Sequence, residues 1–167
     1  MIPRKLSATL AALSLLGVAT AGAAGAPGDL DPSFGNFGVA TVDLGGSDSV
    51  SAILQRPDGR ILLGGAQTDG VGTGSDGIVA QIGAESGVLD TAFGLGTGWS
   101  RIDLSPLDGI NDLALRPDGR VVAVGYAEDD GLVARLLAAE GTLDPSFGGG
   151  DGLETPPFGG DDFLRGV

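Results

Sequence analysis

An all-β fold is predicted by three observations. A six-residue phrase, Leu30-Asp31-Pro32-Ser33-Phe34-Gly35, returns as Leu89-Asp90-Thr91-Ala92-Phe93-Gly94 and as Leu143-Asp144-Pro145-Ser146-Phe147-Gly148, at Asp-to-Asp intervals of 59 and 54 residues. A period of that size marks stacked supersecondary units rather than one unique core. A second phrase, Arg-Pro-Asp-Gly-Arg, stands at 56–60 and again at 116–120, each time between short β-rich runs. Third, Ile61-Leu62-Leu63, Ile78-Val79-Ala80 and Val121-Val122-Ala123-Val124 are continuously apolar. They lack the polar alternation of a half-exposed strand, so both their faces are expected to be covered. Four-stranded sheets that repeat and stack face to face are the blades of a β-propeller. The predicted fold is therefore a partial β-propeller, two four-stranded blades plus the start of a third. An immunoglobulin-like sandwich is the alternative, but it calls for no pair of near-identical units of this length.

The chain opens on Met1-Ile2-Pro3-Arg4-Lys5, a basic start, followed by a mostly apolar run from Leu6 to Val18 and small residues from Ala19 to Ala26. This is the layout of a secretory signal peptide, residues 1–23, with cleavage after Ala21-Gly22-Ala23. Cutting after Ala26 would place Pro27 beside the scissile bond. A membrane anchor is the weaker reading, because a spanning helix takes about 20 apolar residues and this run is shorter. Residues 24–29 then form a short linker. Arg4-Lys5 is not a twin arginine, and the absence of cysteine excludes both a lipid-modified cysteine and a disulfide framework. The expected location is secreted, periplasmic or cell-surface, with no membrane span once the signal is removed.

Beyond residue 23 seven arginines face all 22 acidic residues, a formal charge of −15. Such a balance opposes nucleic acid and anionic membranes, which are bound through Lys and Arg at phosphates. The plain reading of the acidity is a solvated surface. The chain holds 32 glycines, and since each costs about 0.5–1 kcal/mol inside a helix or strand, most belong in turns and close backbone approaches.

In order, Gly38–Asp43 reads as a first strand and Leu44–Asp48 as a turn, then Val50–Gln55 as a second strand. In Arg56–Arg60 proline presets φ at the first corner, Asp tolerates the second and Gly supplies a left-handed position, which makes a hairpin loop. Ile61–Gly65 and Ile78–Ile82 complete the first repeat, 30–88. The second repeat, 89–142, spells the same plan with Ile102–Leu104, Ile110–Arg116, Val121–Gly125 and Leu132–Leu136. Leu132–Glu140 alone has helix-forming composition, but its partner Ile78–Gly83 does not. The five-residue length difference falls at Val71–Ser75, a surface loop tolerant of insertion.

The third repeat, 143–167, is incomplete: Asp162–Val167 aligns with Asp48–Ile53 and Asp108–Leu113, just before the next hairpin phrase. A propeller closes with four or more blades. A blade face of roughly 300 Å² left wet forgoes roughly 8 kcal/mol, comparable to a domain's whole stability. The chain is accordingly expected to be a fragment of a longer propeller, or to self-associate through its open blade faces.

Histidine and cysteine are both absent, which removes Ser-His-Asp and Cys-His catalysis and the usual zinc and haem ligation. Nothing distinguishes any pair of the 22 acids as a glycosidase pair. Gly70-Val71-Gly72-Thr73-Gly74-Ser75-Asp76-Gly77-Ile78 approaches the calcium-binding nonapeptide but occurs once and lacks a glycine, so it reads as a Gly-rich loop. Gly148–Gly152 reads the same way, and no Asp-x-Asp-x-Asp-Gly loop is present. Trp99 and Tyr126 are each single in the chain and read as packing or surface residues. The repeated phrase itself reads as a joint between blades, with Asp and Ser bonding nearby amides and Phe anchoring neighbouring sheets.

Leu-Asp-x-Ser-Phe-Gly, Arg-Pro-Asp-Gly-Arg and Gly131-Leu132-Val133-Ala134-Arg135-Leu136 together resemble the delta-60 family of bacterial β-propeller-like repeats, over Leu30 to Val167. The resemblance implies an exported or surface-associated protein and carries over no catalytic residue. The function expected from it is a binding or surface-scaffold module for a protein or glycan ligand, not an enzyme, with no cofactor. The Pro-Asp-Gly-Arg hairpin is also similar to that of gluconolactonase-like six-bladed hydrolases, whose channel holds a divalent metal. That likeness implies the alternative, a metal-dependent hydrolase with Asn111 and Asp112 as candidate ligands and calcium as the candidate ion. The matching positions are Ser51 and Ala52, then Arg165 and Gly166, so no ring of ligands is repeated.

Overall fold

A computed structural model describes residues 26–68, 74–156, 159 and 162–167. The signal segment 1–23 lies outside the described residues, as do the first two linker residues and most of the Val71–Ser75 loop. Two four-stranded antiparallel sheets make up the described fold. The first contains β1 (Ser47–Gln55), β2 (Ile61–Thr68), β3 (Asp76–Ile82) and β4 (Trp99–Ile102). The second contains β5 (Asp108–Leu115), β6 (Val121–Ala127), β7 (Asp130–Leu136) and β8 (Leu153–Glu154). Each sheet runs in chain order, with every neighbour antiparallel. No helix among the described residues is long and apolar enough to cross a membrane.

The two hairpin loops form for the reason their residues give. In the first, Arg56 N–H donates to Arg60 O at 2.8 Å, Gly59 N–H donates to Arg56 O at 2.9 Å, and Gly59 takes φ 85°. In the second, Arg116 N–H donates to Arg120 O at 2.9 Å and Gly119 takes φ 81°. Asp58 and Asp118 each accept the N–H of the arginine two residues on, at 3.1 Å. Only glycine takes such a φ without a steric cost.

Sequence repeat and sheet are out of phase, which corrects the strand plan. Gly38–Asp43 forms no strand among the described residues; Val39 alone makes isolated bridges, to Gly35 and Asn36. The strand expected at Ile102–Leu104 to open the second repeat lies instead at Trp99–Ile102, where as β4 it closes the first sheet, pairing Ala80 with Trp99 and Gly77 with Ile102. β8, from the third repeat, closes the second sheet in the same way, pairing Ala134 with Leu153. The physical reason lies in the turn at Leu89–Gly94 and Leu143–Gly148, which reverses the chain so that the residues after it return antiparallel to the strand before it. The other six strands fall where the residues predicted, and Leu132–Leu136 lies within β7.

The sheets stack face to face, with β5 lying across β1, β2 and β3. Leu62, Val79, Ile102, Ile110, Val121, Leu132 and Leu136 are buried between and within them. Gly64 permits the close approach: a Cβ there would stand 2.9 Å from Ile110 Cγ2 and 3.1 Å from Leu113 Cγ. The coverage is one-sided at β1. Val50 and Ile53 are 60% and 71% exposed, while Ile110 and Leu113, at the same positions of the next repeat, are 1% and 6% exposed. Residues 162–167 rest on the far side of the second sheet, where Leu164 N–H donates to Gly125 O at 3.1 Å and the Phe163 ring meets Tyr126 edge-on at 5.5 Å.

Candidate functional site

The repeated phrase is a joint. In the third copy Asp144 is buried and its Oδ1 accepts the Ser146 N–H at 2.9 Å and the Ser146 hydroxyl at 2.7 Å. Its Oδ2 lies 2.7 Å from Arg135 Nε and 2.8 Å from Arg120 Nε. The Ser146 amide and hydroxyl, helped by Arg135 and opposed by burial, hold the Asp144 carboxyl down at about 2. The Arg135 guanidinium also sits 4.8 Å over the Phe147 ring. In the second copy Asp90 accepts from Gln81 Nε2 at 2.9 Å and from the Ala92 N–H at 3.1 Å, with Arg60 Nε at 3.1 Å. Phe93 is wholly buried, its ring closed against Gly141. The aspartates fasten each turn to its own sheet, and Phe93 against Gly141 ties the first sheet to the second.

Asn111 occupies the bulge of β5, between Ile110 and Asp112, as Ser51 does in β1. Its Nδ2 donates to Leu164 O at 2.8 Å. Asp112 accepts the Leu113 N–H at 2.9 Å on Oδ1 and the Val167 N–H at 2.9 Å on Oδ2. The two candidate ligands thus lie side by side, with Asn111 Nδ2 and both Asp112 carboxylate oxygens engaged by the segment 162–167 and by the strand itself.

A different carboxylate group comes together at the end of the first sheet. Asp76, Asp103 and Asp108 bring ligand atoms within 4.8 Å of one another. The Gly77–Ile102 pair of the β3–β4 ladder places the first two, and nothing in their sequence spacing announces it. Arg101 already sits between them, 2.8 Å from Asp76 and 3.1 Å from Asp103. Asp108 is consumed by its own turn, accepting the Leu104 and Ser105 N–H groups at 2.7 and 3.0 Å and the Ser105 hydroxyl at 2.6 Å. Asp48 caps the earlier turn likewise, accepting the Leu44 N–H at 2.9 Å. In the nonapeptide-like stretch, residues 70–73 lie outside the described residues, and Asp76 pairs with Arg101.

A groove of about 490 Å³ with an aromatic wall lies where the first sheet's outer edge meets the following turn. Leu95, Thr97, Trp99, Ser100, Arg101, Thr142 and Leu143 line it, with Gly94 at its floor of backbone. Leu95 takes a left-handed φ of 56° and is 81% exposed. Holding a non-glycine residue there costs roughly 1–2 kcal/mol, and the corresponding residue of the third copy is Gly149, at φ 66°. Trp99 likewise replaces the aliphatic Val39 and Leu153 of the other copies. Leu95 and Trp99 are therefore peculiar to the second repeat. Neither tryptophan nor leucine carried that signal in sequence, because each is also an ordinary packing residue.

Neither a curated protein nor a solved structure matches the chain. Two stretches, 56–93 and 116–147, match the family model described as Domain of unknown function (DUF5122) beta-propeller. Each stretch begins at the arginine of a hairpin loop and ends at the phenylalanine of a joint, so the similarity covers the two motifs that build the blades.

Proposed function

We propose that the chain is an exported β-propeller repeat protein of the delta-60 kind, acting as a binding or surface-scaffold module for a protein or glycan ligand. The observation that carries this reading is the groove at Trp99. An exposed leucine in a strained backbone position, a half-buried tryptophan and three hydroxyl side chains share one open concavity. Aromatic and aliphatic walls with a few hydroxyls suit recognition rather than bond breaking, and no nucleophile and base are paired there. The formal charge of −15 beyond residue 23 opposes anionic ligands. A metal-dependent hydrolase is the weaker reading, since Asn111 and Asp112 already serve the contact with residues 162–167.

The test uses the chain's single tryptophan. Purified protein is applied to a glycan array and a peptide array, and bound probes are titrated by Trp99 fluorescence. The expected result is a probe whose binding shifts the Trp99 emission of the unaltered chain, and whose capture on the array is lost with Trp99→Ala and weakened with Leu95→Gly. Binding that survives Trp99→Ala unchanged, or arrays that capture nothing, would overturn the reading.

A further inference from the structure

The polar groups lining the Trp99 groove are largely spent on the protein itself. The Thr97 hydroxyl lies 2.7 Å from Gly94 O and 2.6 Å from Trp99 O, and it accepts the Trp99 N–H at 3.2 Å. The Ser100 hydroxyl donates to Gly141 O at 2.5 Å. Arg101 Nη2 is held between Asp76 and Asp103, at 2.8 and 3.1 Å. Among the described residues this leaves Thr142 as the lining hydroxyl with no hydrogen-bond partner, beside the apolar surfaces of Leu95, Trp99 and Leu143. A sugar carries a hydroxyl on most of its carbons, and each one laid against such walls gives up its bond to water without a replacement. An aliphatic side chain gives up no such bond and gains the burial.

Backbone pairing at Trp99 is closed off as well. Gln81 N–H donates to Gly98 O, and the β3–β4 register turns the backbone groups of Gly98, Ser100 and Ile102 toward β3 and those of Trp99 and Arg101 outward. Thr97 covers both outward groups of Trp99. A ligand is therefore held there by its side chains and not as an added strand. Both walls belong to sheets already packed together: Leu95 to Arg101 come from the turn and outer strand of the first, Thr142 and Leu143 from the joint of the second. The groove is thus a seam between two sheets, not a sheet face left without a neighbour.

At Arg101 the groove meets a second concavity of about 180 Å³, whose lining includes Asp76, Asp103 and Ser105. Asp76, Asp103 and Asp108 bring carboxylate oxygens within 4.8 Å of one another there, and one guanidinium answers the three of them. The Asp103 side chain is 59% exposed. An apolar groove with an acidic end is the complement of an aliphatic side chain beside a cation. Like charge opposes a second copy of the chain as the occupant, since each copy carries −15 beyond residue 23.

We propose that the Trp99 groove recognises a basic peptide segment of another protein. An aliphatic side chain of that segment seats against Leu95, Trp99 and Leu143, and a lysine or arginine two residues away pairs with Asp103. Trp99 and Arg101 stand two residues apart on β4, about 6.6 Å along the strand, and an extended ligand has the same spacing. Arg101 keeps Asp76 as its partner when Asp103 turns to the ligand's cation. The inference rests on the groove being a recognition site and narrows its ligand from protein or glycan to one class.

The probes are arrayed peptides of four series, Leu-x-Lys, Leu-x-Ser, Leu-x-Glu and Ser-x-Lys, with x and the flanks varied, and captured peptides are titrated by fluorescence anisotropy against the purified chain. Capture is expected in the Leu-x-Lys series, with a Kd at least about tenfold lower than for the matching members of the other three. Asp103→Lys in the protein is expected to abolish Leu-x-Lys binding and to restore Leu-x-Glu binding, and Trp99→Ala to lose both. Unchanged melting curves for Asp103→Lys and Asp103→Asn separate lost contact from lost fold. Trp99-dependent capture of a glycan, or of Leu-x-Ser or Leu-x-Glu peptides as tightly as Leu-x-Lys, would overturn the basic segment while leaving the groove a recognition site. Capture of no probe through Trp99 would overturn both. A dimer in sedimentation that Trp99→Ala dissociates would give the groove to a second copy and overturn the proposal as well.

Discussion

Asp144 and Asp90 occupy one position in two repeats, and their neighbours decide how much each contributes. Asp144 is 1% exposed and meets two arginines. Asp90, at a half-buried position, meets one arginine and the neutral amide of Gln81. The Asp144 carboxyl, held at about 2, lies below its ordinary value of 3.8. Its stabilisation is therefore complete above the unfolded value and is lost as pH falls through the folded one. Thermal melts are expected to lose stability between pH about 4 and about 2, and Asp144→Asn should flatten that dependence while lowering the melting temperature at pH 7 by about 5 °C. A steep acid transition that persists in Asp144→Asn would assign it to other carboxylates. In sequence Ser146, where the second copy has Ala92, already sets the two aspartates apart. The β6–β7 pairing, which brings Arg120 and Arg135 to the same carboxylate, adds what the sequence does not announce.

Among the elements, the turns carry the tightest requirements. Gly141 takes φ 66°, and a Cβ there would collide with the Phe93 ring, the anchor of the joint between the sheets. Gly45 takes φ 89°, but a Cβ there would meet nothing within 4 Å. Gly45→Ala is expected to cost about 1 kcal/mol for the left-handed backbone alone. Gly141→Ala adds the clash with a buried ring and is expected to cost about 2–4 kcal/mol. Urea titrations of the two variants give the comparison, and equal costs would show that Phe93 is free to move aside. The hairpins and strands were legible in the residues because Pro-Asp-Gly and unbroken aliphatic runs act locally. The partner of each fourth strand was not, because it is fixed by a turn whose bonds reach nine residues back, from Asp90 to Gln81 and from Asp144 to Arg135. The same non-local pairing hid the Asp76, Asp103 and Asp108 group, and it gave Asn111 and Asp112 a structural task that their types alone did not suggest.

At the level of the molecule, the two sheets share one core, and Ile110 reaches from β5 to Gly64 and Gly77 of the first sheet. Neither sheet can lose its partner without exposing that face. Ile110→Ala is expected to cost about 2–4 kcal/mol and to lower the protection of β2 and β6 amides together. Hydrogen exchange checks this: exchange of β6 at an unchanged rate while β2 accelerates would mean that the sheets open independently. The contrast between buried Leu113 and exposed Ile53 states the same dependence in reverse, since the same position is core or surface according to whether a sheet lies over it.

The offset between repeat and sheet has a consequence for how such a gene can grow. Because every sheet takes its last strand from the repeat that follows, β4 from the second and β8 from the third, no repeat is a self-contained sheet. Duplication of one repeat in frame gives its outer strand to the sheet upstream and draws its own from the repeat downstream, so blade number changes by whole units while no sheet is left with three strands. The repeat seen in the sequence and the sheet seen in the fold thus share one period and differ in where it is cut.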